Sequence, residues 1–112
     1  MEFIDWDDFL KVDLRSGTVV RAEEFPKARK PAYKIWVDFG EELGVRQTSA
    51  QVTDLYDPES LVGKKVVGVV NLPPKRIAGF ESQFLLTGFE NPDGAIALTT
   101  IDGDVPDGRR LH

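Results

Sequence analysis

The segment Tyr33-Lys34-Ile35-Trp36-Val37-Asp38-Phe39 alternates strictly: Tyr33, Ile35, Val37 and Phe39 share one face, and Lys34, Trp36 and Asp38 share the other. A half-buried strand of this kind must find partners, and the chain offers several more strand-like runs. Leu14 to Ala22 precedes it and Val45 to Gln51 follows, the latter of ambiguous facing because so many of its residues are polar. Val66-Val67-Gly68-Val69-Val70 is apolar on both faces, as in a buried central strand, with Gly68 expected at a bend or bulge. Ser82 to Phe89 and Ala95 to Ile101 complete the set.

Punctuation between these runs is frequent. Pro26 and Pro31 bracket a loop, Gly40 to Gly44 reads as a hairpin connection, Pro73-Pro74 opens a loop from Leu72 to Glu81, and Asn91-Pro92-Asp93-Gly94 is a turn. Two short helices are signalled. Asp5 is an N-cap with Asp8 in the capping-box position, placing Trp6, Phe9 and Leu10 on one face. Asp57-Pro58-Glu59-Ser60-Leu61 has an N-cap acid and a first-turn Pro, with Gly63 as its stop.

Five strands with a helix between the third and fourth is the running order of an OB-fold. The expectation is therefore an all-β chain: a five-stranded Greek-key barrel with short helices and a C-terminal strand and tail. A different small barrel or sandwich is the rival. With 112 residues and no repeat or linker, residues 1–112 are read as one domain, with 1–12 an N-terminal helix and 90–112 an extension.

Composition excludes much chemistry. There is no cysteine, and the one histidine, His112, is the last residue. Thiolate zinc sites, redox pairs and nucleophilic triads lack their groups. Adjacent carboxylates Asp7/Asp8, Glu23/Glu24 and Glu41/Glu42 point apart and read as solvated charge. Gly63-Lys64-Lys65 lacks both the upstream glycine and the hydroxyl of a P-loop. No enzyme, metal or cofactor is expected. The start is acidic where an export signal would be basic, and Val66 to Pro74 is too short to span a bilayer, so the expected address is the cytoplasm.

The net charge of −5 hides an uneven distribution. Lys27, Arg29, Lys30 and Lys34 occupy the loop between strands one and two (L12) and its exit, while Lys75 and Arg76 lie between strands four and five (L45). In OB-folds these loops, with the face of strands two and three, hold ligands. Trp36 lies opposite the core face of its strand, where it can stack on a base, grip an apolar side chain or be covered by loops. Ile77, Phe80 and Pro73-Pro74 add apolar surface around Lys75 and Arg76.

Four separated segments carry a resemblance: Phe9 to Glu23, Val45-Arg46-Gln47-Thr48-Ser49-Ala50, Glu59 to Val67, and Asn71-Leu72-Pro73-Pro74-Lys75 to Ser82. Together they resemble the OB-fold tRNA-binding domain that accompanies several aminoacyl-tRNA synthetases. Ala28 to Gly40 and Ser49-Ala50-Gln51 are similar to its free-standing CsaA-type branch. That resemblance implies a homodimeric, cytoplasmic, non-enzymatic chaperone that binds unfolded preproteins or peptides and works with export machinery. By position it implies that Arg46, Asn71, Lys75 and Ser82 line the ligand face, with Trp36 and Phe84 as its apolar part and Arg76 on its rim. Ser82-Gln83-Phe84-Leu85 departs from the Ser-x-Gly-Met usual in tRNA-binding members. The alternative is a tRNA-binding module using Lys27, Arg29, Lys30, Lys34, Lys75 and Arg76. The N-terminal helix and the tail after Pro92 are the covers expected for exposed strand edges in a dimer.

Overall fold

The computed structural model describes residues 1–112. Strand β2 (Tyr33–Asp38) buries what its alternation dictates, with Tyr33, Ile35 and Val37 inside and Lys34, Trp36 and Asp38 half-exposed. It pairs antiparallel with β1 (Leu14–Glu24) on one edge and β3 (Val45–Ala50) on the other. A short helix, α2 (Gly40–Leu43), carries the β2–β3 connection, closed by Phe39 N–H donating to the Gly44 carbonyl at 3.0 Å.

Strand β1 is long enough to serve two neighbours. From Thr18 onward it pairs with β2, and from Leu14 to Thr18 with β4 (Lys65–Val69). Its register breaks between Val19 and Arg21. That bulge lies in β1, not at Gly68 as the sequence suggests, for the β1–β4 ladder runs unbroken through Arg15↔Gly68. Gly68 instead makes room for two aromatic rings. A Cβ there would come within 2.9 Å of Phe39 Cζ and 3.0 Å of Phe84 Cδ2, and those rings pack edge to face with centroids 4.9 Å apart.

The segment expected as one strand from Ser82 to Phe89 is divided, because the chain changes partners along it. β6 (Phe80–Ser82) pairs with β5 (Lys75–Ile77), β7 (Leu85–Leu86) with β4, and β8 (Gly88–Glu90) with β9 (Ile96–Leu98). The loop expected from Leu72 to Glu81 is thus largely a hairpin. Ala78 (φ 47°) and Gly79 (φ 82°) form its two-residue turn, both in the left-handed region that such hairpins need.

The main sheet runs β3-β2-β1-β4-β7 and curls into a nearly closed five-stranded barrel, the OB-type order. Helix α3 (Pro58–Leu61), capped by Asp57 accepting from Ser60 N–H, places the fully buried Leu61 in the core. Helix α1 (Trp6–Leu10) starts at Asp5 as expected but buries none of its residues. The tail is held by its own barrel. Gly108, Arg109 and Leu111 bond to Ser16 and Leu14 of β1, beside the half of that strand that β2 does not reach. Lys65 Nζ and Thr18 Oγ1 both reach the Asp107 carboxylate, at 3.0 and 2.6 Å. No helix is long and apolar enough to cross a membrane.

Candidate ligand groove

Each neighbouring pair in the main sheet is antiparallel, so four reversals leave β3 and β7 running in the same direction. Five is an odd number of strands, and closure therefore needs a seam between two parallel ones. A set of hydrogen bonds closes it at one end. Gln83 N–H donates to the Gln47 carbonyl at 2.8 Å, and Gln47 Nε2 donates to the Glu81 carbonyl at 2.9 Å. A relay follows: Ser49 N–H to Ser82 Oγ (3.3 Å), Ser82 Oγ paired with Thr48 Oγ1 (2.7 Å), and Thr48 Oγ1 to the Phe84 carbonyl (2.7 Å). Backbone meets backbone at Gln47, but one residue on a threonine hydroxyl is needed to span the gap. The polar run that blurs the facing of β3 in the sequence is this closure.

Beyond Thr48 the strands part, and a groove of roughly 980 Å³ opens between them. Its walls are Ser49 to Val52 on one side and Phe84 to Gly88 on the other, with Ile96 behind them. Phe84 and Leu86 are buried in the floor, whereas Leu85 and Leu72 present about half their surface to solvent. Arg29 and Lys30 of L12 and Lys75 and Arg76 of the β5–β6 hairpin stand around it, all four exposed. Arg76 Nη1 also donates to the Gly79 carbonyl of its own hairpin at 2.8 Å.

Of the residues expected at a site, Arg29, Lys30, Lys75, Arg76, Ser82 and Phe84 come together here. Lys27 is exposed in L12 away from the groove wall. Trp36 is placed elsewhere, and the single apolar surface shared with Phe84 does not form. Alternation puts Trp36 outside the barrel, while Phe84 packs inside on Phe39. Trp36 instead supports Phe80 edge-on at 5.9 Å, Phe80 meets Phe25 at 5.5 Å, and the Arg21 guanidinium lies 4.5 Å over the indole. Lys34 is spent in the same cluster, its ammonium 4.9 Å and 5.0 Å from the Phe25 and Phe80 rings. This cluster ties the L12 base to the tip of the β5–β6 hairpin, so the two basic rims are held by one aromatic clasp.

Arg46 and Asn71 are also outside the groove wall. Arg46 Nη1 donates to the Val70 carbonyl at 3.1 Å, and Asn71 bridges the Asp13 N–H (2.9 Å) and the Lys11 carbonyl (2.7 Å), anchoring the chain after α1. Beside them Asp13 accepts two hydrogen bonds from Arg15, at 2.6 and 3.1 Å, which hold its carboxyl below the ordinary range despite partial burial; Arg110 and Arg46 add charge. Burial raises the Tyr33 phenol, which donates to the Tyr56 carbonyl at 2.8 Å. The groove residues that sequence reasoning missed include Thr48, Ser49, Gln51, Leu85, Leu86 and Gly88. The neighbours of the recognised Ser82 and Phe84 were their nearest signal.

A second unpartnered surface lies at the amino terminus. Phe3 and Trp6 are 88% and 66% exposed, with Ile4 and Leu10 beside them in sequence and also exposed.

The comparisons with known proteins agree with this architecture. Residues 14–110 match the tRNA binding domain model. A solved chaperone CsaA from Bacillus anthracis superimposes with a TM-score of 0.92 at 46% identity, covering 99% of this chain and 100% of that one. The CsaA chaperone protein from Picrophilus torridus gives 0.91 at 40% identity, covering 98% and 100%. A methionine–tRNA ligase from Methanococcus maripaludis is 40% identical over 112 residues, 100% of this chain but 16% of the ligase. The chain thus spans about a sixth of the curated relatives it matches.

Proposed function

The chain belongs to the tRNA-binding domain family, and from that premise we propose that it is a non-catalytic, CsaA-type chaperone that binds unfolded polypeptide in the groove between β3 and β7. The observation that carries this reading is the groove's chemistry: an apolar floor of Phe84 and Leu86 with the half-exposed Leu85 on its wall, under a rim of Arg29, Lys30, Lys75 and Arg76. Apolar side chains of an unfolded client suit the floor, and its carboxylates suit the rim. Matches covering the whole of two solved CsaA chaperones support a chaperone reading of this domain. Residues 1–112 act as one domain in this reading, at a cytoplasmic address, with preproteins as clients and export machinery downstream. The exposed apolar residues Phe3, Ile4, Trp6 and Leu10 support a homodimer, since a monomer leaves them in water. The tail supports it less, being already engaged on β1.

A second reading, tRNA binding through the same rim, is favoured by the family and by the methionine–tRNA ligase relatives. A side-by-side titration with tRNA and with an unfolded preprotein, at low and physiological salt, separates the two. Polypeptide binding that persists at physiological salt supports the chaperone reading. Binding of tRNA alone, falling steeply with salt, overturns it.

A further inference from the structure

The open part of the seam exposes more than apolar side chains. In β7, Leu85 stands opposite Val69 and Thr87 N–H donates to the Val67 carbonyl at 3.1 Å, so the residues bonded to β4 are Leu85 and Thr87. Leu86, between them, directs its N–H and carbonyl away from β4 and towards the groove. The same phase continues into β8. Thr99 N–H donates to the Thr87 carbonyl and Asn91 N–H to the Ala95 carbonyl, leaving the backbone groups of Gly88 turned the same way as those of Leu86. Across the groove, Phe39 N–H bonded to Gly44 sets the phase of β3, so that Gln47 and Ser49 turn away from β2. Gln47 is matched to Gln83. The Ser49 carbonyl and the backbone groups of Gln51 find no partner from the opposite wall, and neither do those of Leu86 and Gly88.

Two backbone edges therefore face each other across the groove, each with donors and acceptors free for a guest. They run in the same direction, so one strand entering antiparallel to both would complete an antiparallel ladder on each side. Over the open part of the seam the barrel would then have six strands, each antiparallel to its neighbours, while the closed end stays as it is. We infer that the groove takes its polypeptide as an inserted sixth strand, bonded through its main chain to Leu86 and Gly88 on one edge and to Ser49 and Gln51 on the other. This rests on the polypeptide reading and adds how that polypeptide is held. Three residues of wall on each side give about 10 Å at ~3.3 Å per residue, room for about three guest residues in register, so that a guest of about five overhangs by one at each end. Main-chain pairing is independent of side-chain identity, which suits clients of varied sequence. Side chains set a preference all the same: inward positions of the guest meet Phe84 and Leu86, and outward positions meet Arg29 and Lys75. The favoured guest alternates apolar and acidic residues.

The test uses the full chain and an acetylated, amidated peptide Val-Glu-Val-Glu-Val carrying a fluorophore on a flexible linker. Two further versions are N-methylated on the valine amides or on the glutamate amides. Each set of amides faces one edge of the groove, so each version binds at least tenfold more weakly, while a methyl on the linker amide changes nothing. Exchange of the Gln51, Leu86 and Gly88 amide protons slows at least tenfold on saturation with the unmethylated peptide. Equal affinity of all versions, or unchanged exchange at those amides, overturns strand insertion and leaves side-chain capture of polypeptide standing. If neither this peptide nor an unfolded preprotein binds while tRNA does, the polypeptide reading falls and the inference falls with it.

Discussion

The hydroxyl of Thr48 donates to the main-chain carbonyl of Phe84 at 2.7 Å, and this bond marks where the barrel stops being closed. Thr48 is almost wholly buried, so its hydroxyl has no water to fall back on. Thr48→Val keeps the shape but strands the Phe84 carbonyl and leaves the Ser82 hydroxyl with only the Ser49 N–H as partner. Leaving such groups unpaired costs about 1–3 kcal/mol. Urea denaturation should show a lower midpoint with an unchanged slope.

Phe80 is the centre of the clasp between the β5–β6 hairpin and the outer face of β2. Phe80→Ala removes its contacts with Trp36, Phe25 and Lys34 together. Amide exchange in Lys75–Ile77 and Phe80–Ser82 should accelerate at least tenfold, while the amides of Ile35 and Val37 keep their protection. Equal acceleration everywhere would mean that Phe80 supports the whole barrel rather than the hairpin.

Asp13 gives the fold a dependence on pH of known sign. Its carboxyl is held below its ordinary value of 3.8, chiefly by the hydrogen bonds from Arg15. The unfolded chain then binds a proton more readily than the folded one, so the contribution is complete above the ordinary carboxylate range. It is lost as pH falls through that range towards the lower folded value. Between pH 5 and pH 2 the melting temperature of the Asp13→Asn variant should fall less than that of the parent chain.

Gly68 reports on core packing. A methyl group there has backbone angles it can adopt but meets Phe39 and Phe84 at 3.0 Å or less. Gly68→Ala should destabilise by about 1–3 kcal/mol through overpacking. No loss would mean that the two rings can slide apart.

Local rules made much of this structure readable in the sequence. Alternation placed Tyr33, Ile35 and Val37 inside, and capping chemistry placed α3 after Asp57. Non-local features were harder to read. The β5–β6 turn uses Ala78-Gly79, which lacks the Asn or Asp that usually advertises a two-residue hairpin. Gly68 invited a bulge because a glycine in a strand has two common causes, and only the distant Phe39 and Phe84 decide between them. Alternation alone puts Trp36 on the outer face, but its neighbour there, Phe80, comes from 44 positions further along the chain. The groove was half visible. Its basic rim followed from the loops, whereas its floor depends on where the seam between β3 and β7 parts, which Thr48 and Phe84 determine together.

Leu85 offers the most direct test of the claim that this groove holds polypeptide. It lies on the groove wall and is 51% exposed, so a charge there costs the fold little and the apolar lining of the groove a great deal. Covering a leucine contributes about 1.5–3 kcal/mol, which is tenfold or more in affinity. The measurement is the dissociation constant of an unfolded preprotein for the parent chain and for Leu85→Asp at physiological salt, with the urea midpoint of each. The account predicts at least tenfold weaker binding at an unchanged midpoint. An unchanged dissociation constant would contradict it.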